Sequence, residues 1–186
     1  KRAKPKDKTT VSRRNTMNKS HTINKIKKSL GFGLVFVLLI STLTGCTPNP
    51  KNFSSPKITI TLDESFKEYS FPEYELCVKS DDVIFRVTEH TTQQLELSGY
   101  EILSLSDYAD EILKLDGSTA TKLQQRDDYY YFVSSITVDA ANYSCINCMF
   151  EGDNAFWLCQ FIFKSKDHKR LAEDVFSWAD SIEIVK

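Results

Sequence analysis

Three hydrophobic patterns divide the chain. Apolar residues dominate residues 30–40, with Leu30, Phe32 and the unbroken stretch 34–40. From Ile58 onward, short strand-like segments predominate, the first of them with the period two of a strand with one face buried. The final pattern, over residues 167–182, has a helical period. Leu171, Val175, Trp178 and Ile182 form one stripe, and Ala172, Phe176 and Ala179 widen it.

Between these limits the periodicity predicts a succession of elements. Ile58, Ile60 and Leu62 alternate with Thr59 and Thr61, which predicts a half-buried strand. Residues 74–79 and 83–88 predict two more strands around Ser80-Asp81-Asp82. Ser104 with Asp107 three residues on marks a helix start, Leu105, Tyr108, Ile112 and Leu115 follow helical spacing, and Gly117 suits the stop. Residues 119–125 and 129–138 read as strands, the second rich in aromatic and β-branched residues. Residues 143–150 and 156–163 flank Glu151-Gly152-Asp153-Asn154, a hairpin turn signal. The run 156–163 is apolar on both faces, so its sheet needs cover on both sides. The expected fold class is α+β: an antiparallel β-sheet covered by helices in an α/β/α sandwich.

Charge separates the chain into two parts. Residues 1–45 hold eleven Lys/Arg and one acid, Asp7, for a net charge of +10, whereas the remainder holds 13 basic and 24 acidic residues, net −11. The acidic part disfavours nucleic acid as a partner. The basic part precedes the apolar run, with Lys19, Lys25, Lys27 and Lys28, and the run ends at Leu43-Thr44-Gly45-Cys46. A basic segment, a short apolar segment and a small-residue site form the layout of an export signal. The run is short for a membrane span, which needs about 20 residues. Residues 17–46 resemble the lipobox class of bacterial lipoprotein signals. The resemblance implies cleavage before Cys46 and lipid attachment to it. The expected organisation is then an upstream extension over 1–16, with Met17 as the natural start, a signal peptide over 17–45, a flexible Pro/Asn/Ser-rich tether over 46–57 and one domain over 58–186.

That domain resembles the PsbP-like fold. The resemblance rests on the opening strand Ile58-Thr59-Ile60-Thr61-Leu62 leading to Phe66, the helix at 104–115, the aromatic hairpin at 143–163, and the closing Trp178-Ala179-Asp180-Ser181-Ile182. It implies a binding or assembly module and no metal site. The lipobox departs from the photosynthetic members.

Candidate chemistry is sparse. With Cys46 lipidated, Cys77, Cys145, Cys148 and Cys159 remain. A four-residue turn would place Phe150 opposite Ala155 and Ile146 opposite Cys159. Cys148 and Cys159 would then be diagonal neighbours, too far apart to bridge, and Cys145 would point to the other face. Buried free thiols are the expectation, with a thiol-redox role for Cys145, Cys148 or Cys159 as an alternative. Cys145-x-x-Cys148 has no second pair or nearby His to complete a zinc site. His90 and His168 read as solvent-facing, and no GxSxG-type elbow is present. The acidic pairs Asp63-Glu64, Asp81-Asp82 and Asp127-Asp128 lie at strand ends without calcium-loop spacing. Tyr129, Tyr130 and Tyr131 alternate across a sheet, so an outward ring is a candidate contact surface, unless helices cover both faces.

These features imply no cofactor and no catalytic set. They predict a lipoprotein at the extracytoplasmic face of the cell membrane, acting as a non-enzymatic protein-binding or assembly module with a protein or envelope partner. A small-ligand carrier, with a pocket between the sheet and the 104–115 helix, is the other reading.

Overall fold

The computed structural model describes residues 49–117 and 120–185. In chain order these form β1 (Pro50–Ser54), β2 (Ile58–Asp63), β3 (Lys67–Glu68), β4 (Leu76–Lys79), β5 (Val83–Thr91), α1 (Thr92–Leu97), α2 (Leu105–Asp116), β6 (Gln124–Arg126), β7 (Tyr129–Val138), β8 (Ala141–Gly152), β9 (Ala155–Lys164), α3 (His168–Ala179) and β10 (Glu183–Ile184). A seven-stranded sheet runs β3-β4-β5-β9-β8-β7-β6, and a smaller one runs β1-β2-β10. Their pairings are antiparallel throughout. The fold is α+β, with helices on both faces of the large sheet. No helix among the described residues is long and apolar enough to cross a membrane.

The β7-β8-β9 meander is set by two tight turns. Asp139 and Ala140 both take positive φ, 48° and 62°, and join Val138 to Ala141 in register. Two successive positive φ values match the twist of the flanking strands. Asp153-Asn154 closes the next hairpin, with Asn154 at φ 56° and Gly152 opposite Ala155. This turn has two residues, not four, which moves the strand register by two. Cys148 therefore faces Cys159 directly, and Ile146 faces Phe161.

Alternation then supplies two cores. On one face of the large sheet, Phe85, Val87, Ile146, Phe150, Trp157, Phe161 and Phe163 pack with Ile58, Ile60 and Leu62 of β2 and with Leu171, Val175 and Ala179 of α3. On the other face, Phe132, Met149 and Phe156 pack with Tyr108 and Ala109 of α2. One outer layer of the expected sandwich is thus mixed, shared by α3 and the three-stranded sheet.

The expected tether is ordered from Pro50. Residues 50–54 pair along β2, with Phe53 opposite Ile60 and buried at 1% exposure. Proline fits there because β1 is an edge strand, where a missing N–H costs no ladder bond. Of the described residues 120–125, only 124 and 125 enter a strand. α3 ends at Ala179, three residues short of the predicted stop. An ion pair ties that end to the sheet. Arg126 donates from Nε and Nη2 to the two Asp180 oxygens at 2.9 and 2.6 Å, and Tyr129 donates its hydroxyl to Asp180 at 2.9 Å.

The two kinds of contact differ in weight. Phe161→Ala, at 0% exposure, is expected to lower the unfolding free energy by about 3–5 kcal/mol in urea titration. Arg126→Ala, in a clasp 40% exposed, is expected to cost under about 1 kcal/mol. A smaller loss for the phenylalanine than for the arginine would contradict this assignment of the core.

Candidate functional site

A cavity of about 400 Å³, open to solvent on one side, lies among the end of β5, α1, residues 98–102 and α2. Local sequence builds each wall. Thr91 accepts from the Gln94 amide at 3.2 Å, and the Gln94 side chain accepts from the Thr91 amide at 2.9 Å. This reciprocal cap starts a helix of only six residues. Gly99 at φ 83° then reverses the chain, and the Tyr100 amide bonds back to the Leu95 carbonyl at 3.0 Å. Ser104 caps α2 through the Asp107 amide at 3.2 Å. Tyr108, Ile112 and Leu115 share one stripe of that helix and face Leu95, Tyr100 and Ile102 across the cavity.

His90 is the polar group inside this apolar wall. Its Nδ1 lies 2.7 Å from the Tyr108 hydroxyl, and Tyr108 stacks on Phe156 at 4.9 Å between centroids. Burial lowers the His90 pKa from 6.5 and pushes the Tyr108 hydroxyl up. Both groups are therefore neutral at pH 7 and share one hydrogen bond. Nε2 is the ring nitrogen left for a ligand. Two carboxylates also line the cavity, and each has a lysine: Glu89 with Lys57 at 2.7 Å and Glu111 with Lys114 at 3.0 Å. The result is an apolar pocket with one neutral polar pair and a balanced rim. Such a site binds by burial and orients by a few polar groups.

A second polar feature crosses the same sheet face. Arg86, Gln160 and Asn147 lie in register on β5, β9 and β8. Arg86 donates from Nε to Gln160 Oε1 at 2.8 Å, and from Nη1 to the Tyr74 hydroxyl at 2.5 Å. Gln160 Nε2 donates to Asn147 Oδ1 at 2.7 Å, and Asn147 Nδ2 donates to Ser134 Oγ at 3.1 Å. Arg86 has no carboxylate partner among the described residues.

The structure redistributes the residues singled out by sequence. Leu43, Thr44, Gly45 and Cys46 lie outside the described residues. Cys77, Cys145, Cys148 and Cys159 are free and buried. Burial pushes the Cys145 thiol up to about 12 and the thiols of Cys148 and Cys159 well above the usual range. A nucleophilic or redox-active thiol needs the opposite: a lowered pKa and access. Cys148 and Cys159 are cross-strand partners rather than diagonal neighbours, yet both remain thiols at 0% exposure. In the tyrosine triplet Tyr129 is buried, whereas Tyr130 and Tyr131 are partly buried. Tyr129 stacks on Phe150 at 4.8 Å, Tyr131 meets Phe176 edge-on at 4.9 Å, and Tyr130 packs in the second core. His90 is half-buried and not solvent-facing, whereas His168 starts α3 beside the Phe163 ring at 5.8 Å. Asp82 is held by Arg170 at 2.9 Å, and Asp63 caps the Ser65 amide at 2.8 Å.

The expected pocket beside α2 is present, but its far wall is α1 and residues 98–102. The Thr91-x-x-Gln94 pattern was the sequence signal for that wall. The His90–Tyr108 pair spans 18 residues and had no local signal.

No family model matches this sequence, and no curated protein matches it. Solved structures align with it, and the first of these shares its fold. A protein from Bacteroides thetaiotaomicron VPI-5482 superposes with TM-score 0.52 at 15% identity, over 73% of this chain and 48% of its own length. This chain thus spans about half of that protein. LpqN, involved in cell envelope biogenesis of Mycobacterium tuberculosis, aligns at TM-score 0.45 and 8% identity, over 74% of this chain and 90% of LpqN. Cyanobacterial PsbP (CyanoP) from Synechocystis sp. PCC 6803 aligns at 0.34 and 9% identity, over 77% of this chain and 99% of its own.

The His90 environment has a pH signature. Its depressed pKa means that the unfolded chain takes up the proton first as pH falls. The stability is full above about pH 6.5 and is lost as pH drops through the folded-state value. Thermal unfolding from about pH 7.5 down to about pH 5 should therefore show a steeper fall for the wild type than for His90→Gln. Parallel curves would contradict a buried neutral imidazole.

Proposed function

We propose that this chain is a non-enzymatic, lipid-anchored extracytoplasmic binding module of PsbP-like type, and that it carries a small apolar ligand in the cavity between α1 and α2. The observation that carries the reading is the cavity itself. Its 400 Å³ fall in the range of small-molecule sites, its walls are Leu95, Tyr100, Ile102, Ile112 and Leu115, and its His90–Tyr108 pair is neutral. The described thiols are buried and protonated, which argues against thiol chemistry as the activity. Anchoring is supported by the basic segment, the apolar run and Leu43-Thr44-Gly45-Cys46. With β1 starting at Pro50, the tether is only the few residues after Cys46.

A protein or envelope partner is the second reading. It is favoured by the adjacent rings of Tyr69 and Phe71, 44% and 45% exposed and 5.2 Å apart, on the segment after β3.

The anchor is tested by expression and fractionation. The native protein should partition with membranes and carry a lipid mass on Cys46, whereas Cys46→Ser should be soluble in the extracytoplasmic fraction. Equal partitioning would remove the anchor from the reading. The pocket is tested with decanol as an apolar probe. Saturation at 100 times the dissociation constant should stabilise the fold by about 2.7 kcal/mol. Ile112→Trp, which fills the cavity, should abolish that gain while retaining a cooperative melt. No stabilisation of the wild type would leave the protein-partner reading in its place.

A further inference from the structure

We propose that the α1–α2 cavity takes an uncharged chain ending in a hydrogen-bond acceptor, a ketone or ester carbonyl, and that His90 donates to that oxygen from Nε2. This rests on the pocket reading above and adds the class of polar end to it.

The direction of one hydrogen bond fixes the donor. Tyr108 is at 1% exposure, and its hydroxyl lies 2.7 Å from His90 Nδ1. That nitrogen is the hydroxyl's one hydrogen-bond partner among the described residues. A buried O–H without an acceptor costs about 1–3 kcal/mol. The phenol proton therefore points to Nδ1, which must carry a lone pair. A neutral imidazole with an acceptor at Nδ1 has its proton on Nε2. Burial keeps the ring neutral by lowering its pKa from 6.5, and it holds the phenol proton by raising the Tyr108 pKa. Tyr108 thus sets the tautomer of His90.

Nε2 opens to free space. Among the described residues the one buried side-chain polar atom without a partner is Trp157 Nε1. His90 Nε2 has no partner among them either, so it is not buried, and the space that this side chain lines is the cavity. Gln94 presents a second donor. Its Oε1 is taken by the Thr91 amide at 2.9 Å, which leaves its NH2 group at the cavity wall. Two donors beside an apolar wall call for an acceptor with two lone pairs, which a carbonyl oxygen has. Charge disfavours the ionic alternatives. Among the described residues no Lys or Arg lines the cavity, whereas Glu89 and Glu111 do. A carboxylate or phosphate would lose water without gaining a cation, and would face two acids. A cationic end would find both acids already paired, with Lys57 at 2.7 Å and Lys114 at 3.0 Å, and would meet the donors of His90 and Gln94.

The test compares four chains of equal length, 2-octanone, 1-octene, octanoate and octylammonium, by calorimetry on the full chain at neutral pH. The ketone should bind about five- to tenfold tighter than the alkene, and tighter than either ion. His90→Phe should erase the ketone's advantage over the alkene. Nitrogen NMR of the wild type reads the tautomer without any variant, and His90 should carry its proton on Nε2. A proton on Nδ1, equal binding of ketone and alkene, tightest binding of an ion, or an advantage that survives His90→Phe each overturns the carbonyl assignment. Binding of the alkene in any of those cases keeps the pocket. Failure of all four to bind overturns both.

Discussion

The whole domain depends on the β8–β9 hairpin being apolar on both of its faces. Each fully buried Leu, Ile or Phe side chain contributes about 1.5–3 kcal/mol by leaving water. A hairpin with two such faces gains that only if something covers each. Ile146, Phe150, Phe161 and Phe163 on one side require α3 and β2. Met149 and Phe156 on the other require α2. The helices are amphipathic and have no reason to be ordered alone in water. The sheet supplies the surface that makes them worth forming, and they supply the cover that keeps the sheet from exposing its face.

The two sides solve this problem differently, and the difference produces the site. On the α3 side, the three-stranded sheet completes the layer, and the core is closed by Phe53, Ile58, Ile60 and Leu62. On the α2 side, one twelve-residue helix lies over β7 and β8, and the six residues of α1 are too few to fill the space over the end of β5. A cavity is what remains when a wide sheet face is covered by a narrow helix layer. Its chemistry then follows from strand parity: residues of β5 that point to that face are Arg86, Thr88 and His90, whereas Phe85 and Val87 point to the closed core.

Much of this was legible along the chain. Alternation located β2, aromatic and β-branched content located β7, the hairpin signal located β8 and β9, and the 3.6 period with Ser104 and Gly117 located α2 almost to its ends. What was not legible has physical causes. The register of β8 and β9 depends on whether the turn holds two residues or four. Glu151-Gly152-Asp153-Asn154 supports either, because Gly and Asn both tolerate the left-handed region. That ambiguity moved Cys159 from beside Cys148 to opposite it. β1 was hidden because its composition is that of a linker, and only Phe53 among its five residues is buried. β10 is two residues long, too short for any period. The pocket's polar centre was invisible for another reason. His90 reads as a strand-end histidine until Tyr108 is placed on it, and that needs the position of α2 relative to β5.

The row from Arg86 to Ser134 bears most directly on function. Burying an amide in a sheet interior costs free energy unless its groups are paired, and apolar residues of similar volume would serve packing as well or better. Here Asn147 is 1% exposed and Ser134 is 1% exposed, and each is bonded to the next member of the row. The pairing removes the penalty but yields no clear gain over an apolar row. What the row does achieve is directional. Asn147 orients the Gln160 amide so that its oxygen points to Arg86, and Gln160 with Tyr74 then holds the guanidinium against the sheet. A cation fixed by neutral partners keeps its full charge, whereas one fixed by a carboxylate would not. The network therefore spends core volume on holding a positive charge without a carboxylate partner among the described residues, in a strongly acidic domain, an arrangement that stability alone does not call for.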